Sequence, residues 1–195
     1  TMVAMVWAAI GVTVLIIYYA FSLPDVDKLY DLKRRPELAM IDGAGGRLAT
    51  YGDIYGQPLR IRDMPKYLPQ AVIATEDRRF HTHFGIDPWG MGRALVVNVI
   101  AGRVRQGGST ITQQLAKNVF LTNERSMKRK IQELLLALWL EHKFTKDQIL
   151  TMYLNRVYLG AGTHGVDAAA RRYFGRSARE VSLFQSALIA GLLRA

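Results

Sequence analysis

Hydrophobic and polar positions divide the chain into three stretches. Residues 2–21 are almost wholly apolar and carry no charge. A run of roughly 20 apolar residues matches a bilayer core about 30 Å thick, so residues 1–22 are expected to form a transmembrane anchor. Trp7, Tyr18, Tyr19 and Phe21 suit its interfaces. A signal peptide would have a shorter apolar region followed by a small-residue cleavage site. Tyr18-Tyr19-Ala20-Phe21-Ser22-Leu23-Pro24 offers none, which favours an uncleaved helix. Residues 23–64 read as a linker. Leu38–Ile41 and Arg47–Tyr51 flank the Gly-rich Asp42-Gly43-Ala44-Gly45-Gly46, the pattern of a β-hairpin. Leu59–Arg62 alternates like one more short strand.

From Met64 onward the period becomes helical. Ala71–Ala74 reads as the end of a buried helix. Asp87-Pro88 reads as the start of the next, with Asp as N-cap and Pro at the first helical position. Further helices are expected over Pro88–Gly102, from Ser109-Thr110 onward, and over Ser126–His142, Lys146–Asn155, His164–Phe174 and Ser182–Leu193. Thr110 and Gln113 form a capping-box pair. The fold class is therefore mainly α: a helical domain over residues 65–195 behind a small hairpin-containing linker. Pro88–Gly102 is unusually apolar for a surface helix. Packing into the core is the default reading for most of it, and the alternative is that one face enters a bilayer.

Composition narrows the chemistry. The chain has no cysteine, so it has neither a disulfide framework nor a thiolate metal site. Its net charge of +10 favours an anionic partner: nucleic acid, lipid headgroups or a phosphorylated substrate. His81, His83 and His164 lack the spacing of a helical zinc site. Arg125, Lys128, Arg129 and Lys130 crowd the start of the Ser126–His142 helix, where cations oppose the macrodipole. Glu124 and Glu133 offset part of that charge, and ion pairs from Glu133 to Arg129 and Lys130 have helical spacing. Two carboxylates do not balance four cations, so a bound anion such as a pyrophosphate fits there.

The second chemical feature is Glu76-Asp77-Arg78-Arg79-Phe80-His81-Thr82-His83-Phe84-Gly85-Ile86-Asp87. Glu76 is expected at a helix end facing a cleft, where apolar walls can raise a carboxyl's pKa and suit it to acid–base work. By itself the run reads better as a solvated turn, with Glu76 and Asp77 paired to Arg78 and Arg79. It resembles, however, the first signature of the peptidoglycan glycosyltransferases, the family 51 transglycosylase module of class A penicillin-binding proteins and of monofunctional glycosyltransferases. The other signatures follow in order: Gly107-Gly108-Ser109-Thr110-Ile111-Thr112-Gln113-Gln114-Leu115-Ala116-Lys117-Asn118, Arg129-Lys130-Ile131-Gln132-Glu133, Tyr153–Gly160, and Gly165–Ala170 with Tyr173-Phe174-Gly175.

The resemblance implies a lysozyme-like helical fold and polymerisation of lipid II into glycan strands. Glu76 is then the general base and Glu133 the second carboxylate, near the donor diphosphate or a divalent cation. Lys117, Arg125, Arg129 and Lys130 hold the pyrophosphate. Asp77, Arg93, Ser109, Gln113, Gln114, Asn118, Tyr153 and Asn155 line the cleft. Mg²⁺ or Mn²⁺ at Glu133 suits such a site but is not demanded, and no organic cofactor is implied. The implied partners are lipid II, the growing lipid-linked glycan, the membrane, cell-wall synthesis proteins and moenomycin-type inhibitors, with no nucleic acid. The implied location is the bacterial cytoplasmic membrane, crossed once, with the catalytic domain outside. Lys28, Lys33, Arg34 and Arg35 argue the other way, since positive residues usually stay in the cytoplasm. A monofunctional enzyme and part of a bifunctional penicillin-binding protein both remain open. Two other classes compete: a membrane-tethered nucleic-acid binder using residues 110–116 and the basic helix that follows as a helix-turn-helix, and a lysozyme-like glycan hydrolase.

Overall fold

The computed structural model describes residues 38–43, 47–51, 54–104, 106–121 and 126–193, with a few isolated positions between 2 and 18. The expected anchor over 1–22 and the connector after it lie almost entirely outside the described residues. Among those residues no helix is long and apolar enough to cross a membrane.

The hairpin forms as expected. β1 (Leu38–Ile41) pairs antiparallel with β2 (Arg47–Tyr51). Leu59–Arg62 is not a strand. The Leu59 backbone N–H and C=O are both taken by the Asn155 side chain, at 2.9 and 2.8 Å, so neither is left for a ladder. Ile61–Asp63 then closes a 3₁₀ turn. The strand in this region lies earlier: β3 (Ile54–Tyr55) pairs parallel with β4 (Thr163–His164). Gly56 follows at a close approach, where a Cβ would sit 2.4 Å from the Ala168 backbone nitrogen. Only glycine lets the linker lie against the domain here.

Seven α-helices are described between residues 67 and 192: α1 (Tyr67–Glu76), α2 (Pro88–Ala101), α3 (Ile111–Phe120), α4 (Met127–Lys143), α5 (Lys146–Leu154), α6 (Val166–Phe174) and α7 (Leu183–Leu192). Apart from α2, the helices bury most of their apolar stripes against neighbours. α1 packs on α7, and α3 packs on both α4 and α5. Leu68, Val72, Ile111, Leu115, Leu136, Leu140, Ile149, Leu154 and Ile189 form one core. Capping boxes set the starts of three helices, through Thr110 with Gln113, Thr145 with Gln148, and Ser182 with Gln185. Ser126 caps α4 alone.

α2 departs from its default reading. Of its residues only Ala94 is buried; Trp89 is 76% exposed, Val99 71% and Ile100 81%. The helix is not a core element. It is tethered where Gly108 passes beneath it, so close that a Cβ there would lie 3.1 Å from Met91 Cα. The Asn98 amide adds a clamp on the Gln106 backbone, with both contacts at 2.9 Å. Among the described residues the helix is held by few contacts, and it presents a broad apolar face outward.

Candidate active site

Glu76 is the last residue of α1, and the chain turns sharply after it. Three contacts hold the following loop. Phe80 is fully buried, with Lys146 Nζ 4.5 Å over its ring. Thr110 Oγ1 donates to the Gly85 carbonyl at 2.6 Å. Gly85 itself has φ +79, and a Cβ there would lie 2.9 Å from the Ala137 carbonyl oxygen. A side chain at this position would be strained and would push the loop off α4.

Asp77 points inward. Its Oδ2 accepts from His83 Nε2 at 2.9 Å and from the Ile111 backbone N–H at 3.0 Å. One carboxylate thus ties the end of α1 to the start of α3. It satisfies an orphan N–H there with a charge of the favourable sign. Glu76, one residue earlier, lines two cavities.

The larger cavity, about 370 Å³, is lined by Glu76, Ser109, Gln113, Gln114, Lys117, Arg129, Lys130, Glu133 and Leu193. The smaller, about 170 Å³, is lined by Thr75–Arg79, Asp87, Gly90, Arg93 and Gln106–Thr110. The walls around Glu76 are polar and cationic rather than apolar. Its Oε2 accepts from Gln114 Nε2 at 2.8 Å, and Gln114 Oε1 accepts in turn from the Tyr153 hydroxyl at 2.9 Å.

Across the larger cavity stands the basic start of α4. Lys130 Nζ donates to Glu133 Oε2 at 2.8 Å and to Ser109 Oγ at 2.9 Å. Arg129 Nε lies 3.2 Å from Glu133 Oε1 but off its hydrogen-bonding axis, so the pair is ionic only. The helical ion pairs therefore form, yet the three cations Lys117, Arg129 and Lys130 still outnumber the two carboxylates of the cavity, Glu133 and Glu76. Gln113 is buried, and its Nε2 has no partner at the same cavity wall. The surplus positive charge and the free N–H suit an anionic, oxygen-rich ligand.

The residues expected at the site separate into groups. Glu76, Ser109, Gln113, Gln114, Lys117, Arg129, Lys130 and Glu133 share one cavity. Arg93 and Asp77 line the other, although the Asp77 carboxylate is engaged internally. Asn118 is exposed and lines neither. Tyr153 is fully buried behind Gln114, and Asn155 holds the Leu59 backbone; neither lines either of these two cavities. Arg125 lies outside the described residues. Arg78, Arg79, Asp87 and Gln106 line the smaller cavity unforeseen. Asp87 looked like an ordinary cap, but its side chain makes no capping bond. Among the described residues no group of three or more His, Asp or Glu could hold a metal.

A family model described as Transglycosylase matches residues 45–195. Among curated relatives, penicillin-binding protein 1A of Aquifex aeolicus is 48% identical over 189 residues, 95% of this chain and 26% of the relative. That of Vibrio cholerae serotype O1 is 42% identical over 189 residues, 95% of this chain and 23% of the relative. That of Neisseria flavescens is 42% identical over 186 residues, again 95% and 23%. The chain thus spans about a quarter of the length of these relatives.

Proposed function

The chain belongs to the transglycosylase family, and from that premise we propose that it is a peptidoglycan glycosyltransferase polymerising lipid II into glycan strands. One observation carries the reading: Glu76 and the cluster of Lys117, Arg129 and Lys130 line the same cavity.

In this reading Glu76 accepts the proton of the acceptor's 4-hydroxyl. The freed oxygen lone pair attacks the anomeric carbon of the lipid-linked donor chain. The bond from that carbon to the diphosphate oxygen breaks, with inversion, and polyprenyl diphosphate departs with the electron pair. A phosphate leaving group needs no proton if cations neutralise it, so the α4 cluster and Lys117 take the place of a general acid. Glu133 keeps Lys130 and Arg129 aimed at the cavity and limits their mutual repulsion. Lys130 in turn orients Ser109.

The outward face of α2 fits this chemistry. A polyprenyl substrate cannot leave the bilayer cheaply, and an exposed apolar helix bordering the smaller cavity can rest on the lipid surface. The catalytic domain would then work at the outer face of the bacterial cytoplasmic membrane.

The competing readings lose support. The nucleic-acid reading uses residues 110–116 and the basic helix after them, and both lie inside the stretch that the Transglycosylase model matches. A hydrolase needs a second carboxyl free to protonate the glycosidic oxygen, and both Glu133 oxygens face cations.

Labelled lipid II in detergent tests the proposal. Wild type is expected to form polymer, and Glu76→Gln to lose at least ~100-fold in rate. Absence of polymer from wild type, or an unchanged rate in Glu76→Gln, would refute it.

A further inference from the structure

We propose that Tyr153 is a positioning residue for Glu76, acting through the Gln114 side-chain amide. This rests on the reading of Glu76 as the base. Tyr153 lies on α5, lines neither cavity and has no exposed surface, so it cannot touch substrate. The α5 residues buried with it are Ile149, Leu150 and Leu154, all aliphatic. A buried phenol among them demands a partner for its hydroxyl, and that partner is Gln114 Oε1 at 2.9 Å.

The consequence follows from the symmetry of an amide. A glutamine end group has nearly the same shape in its two flipped orientations, but opposite polarity. In one orientation its NH₂ meets the Glu76 carboxylate. In the other its carbonyl oxygen does, and two electron-rich groups face each other. The Tyr153 hydroxyl reinforces the first orientation by donating to Oε1, which holds Nε2 pointing at Glu76 Oε2 at 2.8 Å. Burial, with Glu76 and then Asp77 nearby, pushes the phenol well above its ordinary range, so it remains a donor. The amide then gives Glu76 one fixed N–H. That bond favours the ionised carboxylate, fixes its plane, and leaves Oε1 for the acceptor hydroxyl. When Oε1 takes the proton the bond weakens, which favours releasing the proton for the next cycle.

Tyr153→Phe keeps the ring and removes only the hydroxyl. Lys117, Arg129, Lys130 and Glu133 on one side of Glu76, and Asp77, Asp87, Arg78, Arg79 and Arg93 on the other, are unchanged by it. Their influence therefore cancels in the comparison. The variant is expected to lower kcat about tenfold, the scale of one hydrogen bond. KM for lipid II should stay within about twofold, and the acid limb of the pH–kcat profile should move up by about half to one pH unit. Gln114→Leu should move the limb the same way, and adding Tyr153→Phe to it should move it no further, since the two act in series.

A second measurement is independent of turnover. The ¹³C titration midpoint of the Glu76 carboxyl, in detergent, should rise in Tyr153→Phe. If that variant does not fold, Gln114→Leu carries the same titration. An unmoved midpoint, or effects of the two substitutions that add, would overturn the proposal. Polymer from wild type with unmoved midpoints sinks this inference alone, whereas no polymer from wild type sinks the reading beneath it.

Discussion

Asp77→Asn separates a residue that serves the fold from one that serves the substrate, although the two are adjacent. The Asp77 carboxylate is buried and accepts from His83 Nε2 and the Ile111 N–H through the same oxygen. Asparagine can keep its oxygen in that place, so both contacts survive as neutral ones. Its NH₂ then occupies the site of Oδ1, which lies 3.1 Å from His83 Nε2 in wild type. A hydrogen bond to a charged group contributes roughly 1 kcal/mol more than a neutral one. Two such bonds put the cost of Asp77→Asn at about 2 kcal/mol. Asp77→Ala leaves the Ile111 N–H and His83 Nε2 without partners. Unsatisfied buried groups cost roughly 1–3 kcal/mol each, so about 4 kcal/mol is expected. For a chain of this size each kcal/mol shifts Tm by about 2–4 °C, so Asp77→Asn should melt about 6 °C lower. The assay is thermal unfolding in detergent beside steady-state kinetics with lipid II. Stability should fall in the order wild type, Asn, Ala, with KM nearly constant. A wild-type Tm combined with a raised KM would show instead that Asp77 binds substrate, and the inward assignment would be wrong.

Two other predictions follow from geometry remote from Glu76. Burial raises the Asp167 carboxyl, but bonds from Arg171, Ser177, the Ala178 N–H and the Gln57 N–H outweigh it and hold the pKa below the ordinary value. Its contribution to stability is therefore complete above the unfolded value near ~4 and is lost as pH falls through the lower folded value. Asp167→Asn should lower stability by about 2 kcal/mol at pH 7 and flatten the acid limb of a urea-denaturation series; an unchanged limb would exclude Asp167 as its source. On α2, Val99→Asp with Ile100→Asp puts charge on the face that is otherwise apolar and exposed. Losing two apolar side chains, worth roughly 1.5–3 kcal/mol each, should weaken binding to phosphatidylglycerol vesicles at least ~10-fold, with little change in detergent. Equal vesicle binding would remove α2 from the membrane surface.

How legible these features were in the sequence differs with their physical origin. Helices whose apolar stripe meets a partner were readable from period and caps, as Thr110 with Gln113 and Ser126 show. α2 was misread because an apolar run looks the same whether a partner covers it or not; only the contacts distinguish the cases. Leu59–Arg62 was misread because its backbone partners lie on the Asn155 side chain, far along the chain. The β3–β4 pair, two residues a side and parallel, has no local signature at all. At the site, motif order pointed to Glu76 and to the α4 cations, and they line one cavity. The motifs could not say which of their polar residues turn inward. Asp77, Tyr153 and Asn155 stand beside cleft residues in the sequence, yet each spends its hydrogen bonds within the fold. Where each side chain finds its partners separates the two groups, and that is a property of the packed chain.

The central claim is that one cavity holds a proton acceptor on one wall and a diphosphate grip on the other. The most direct test is phosphorus-31 NMR titration of a polyprenyl diphosphate in detergent against wild type, Glu76→Gln, Lys117→Ala and Arg129→Ala. Removing a carboxylate from the cavity should leave binding to Glu76→Gln as tight as wild type or tighter, while each lost cation should weaken it about tenfold or more. Undiminished binding by Lys117→Ala and Arg129→Ala would contradict the account, because the cluster facing Glu76 would then not be what holds the leaving group.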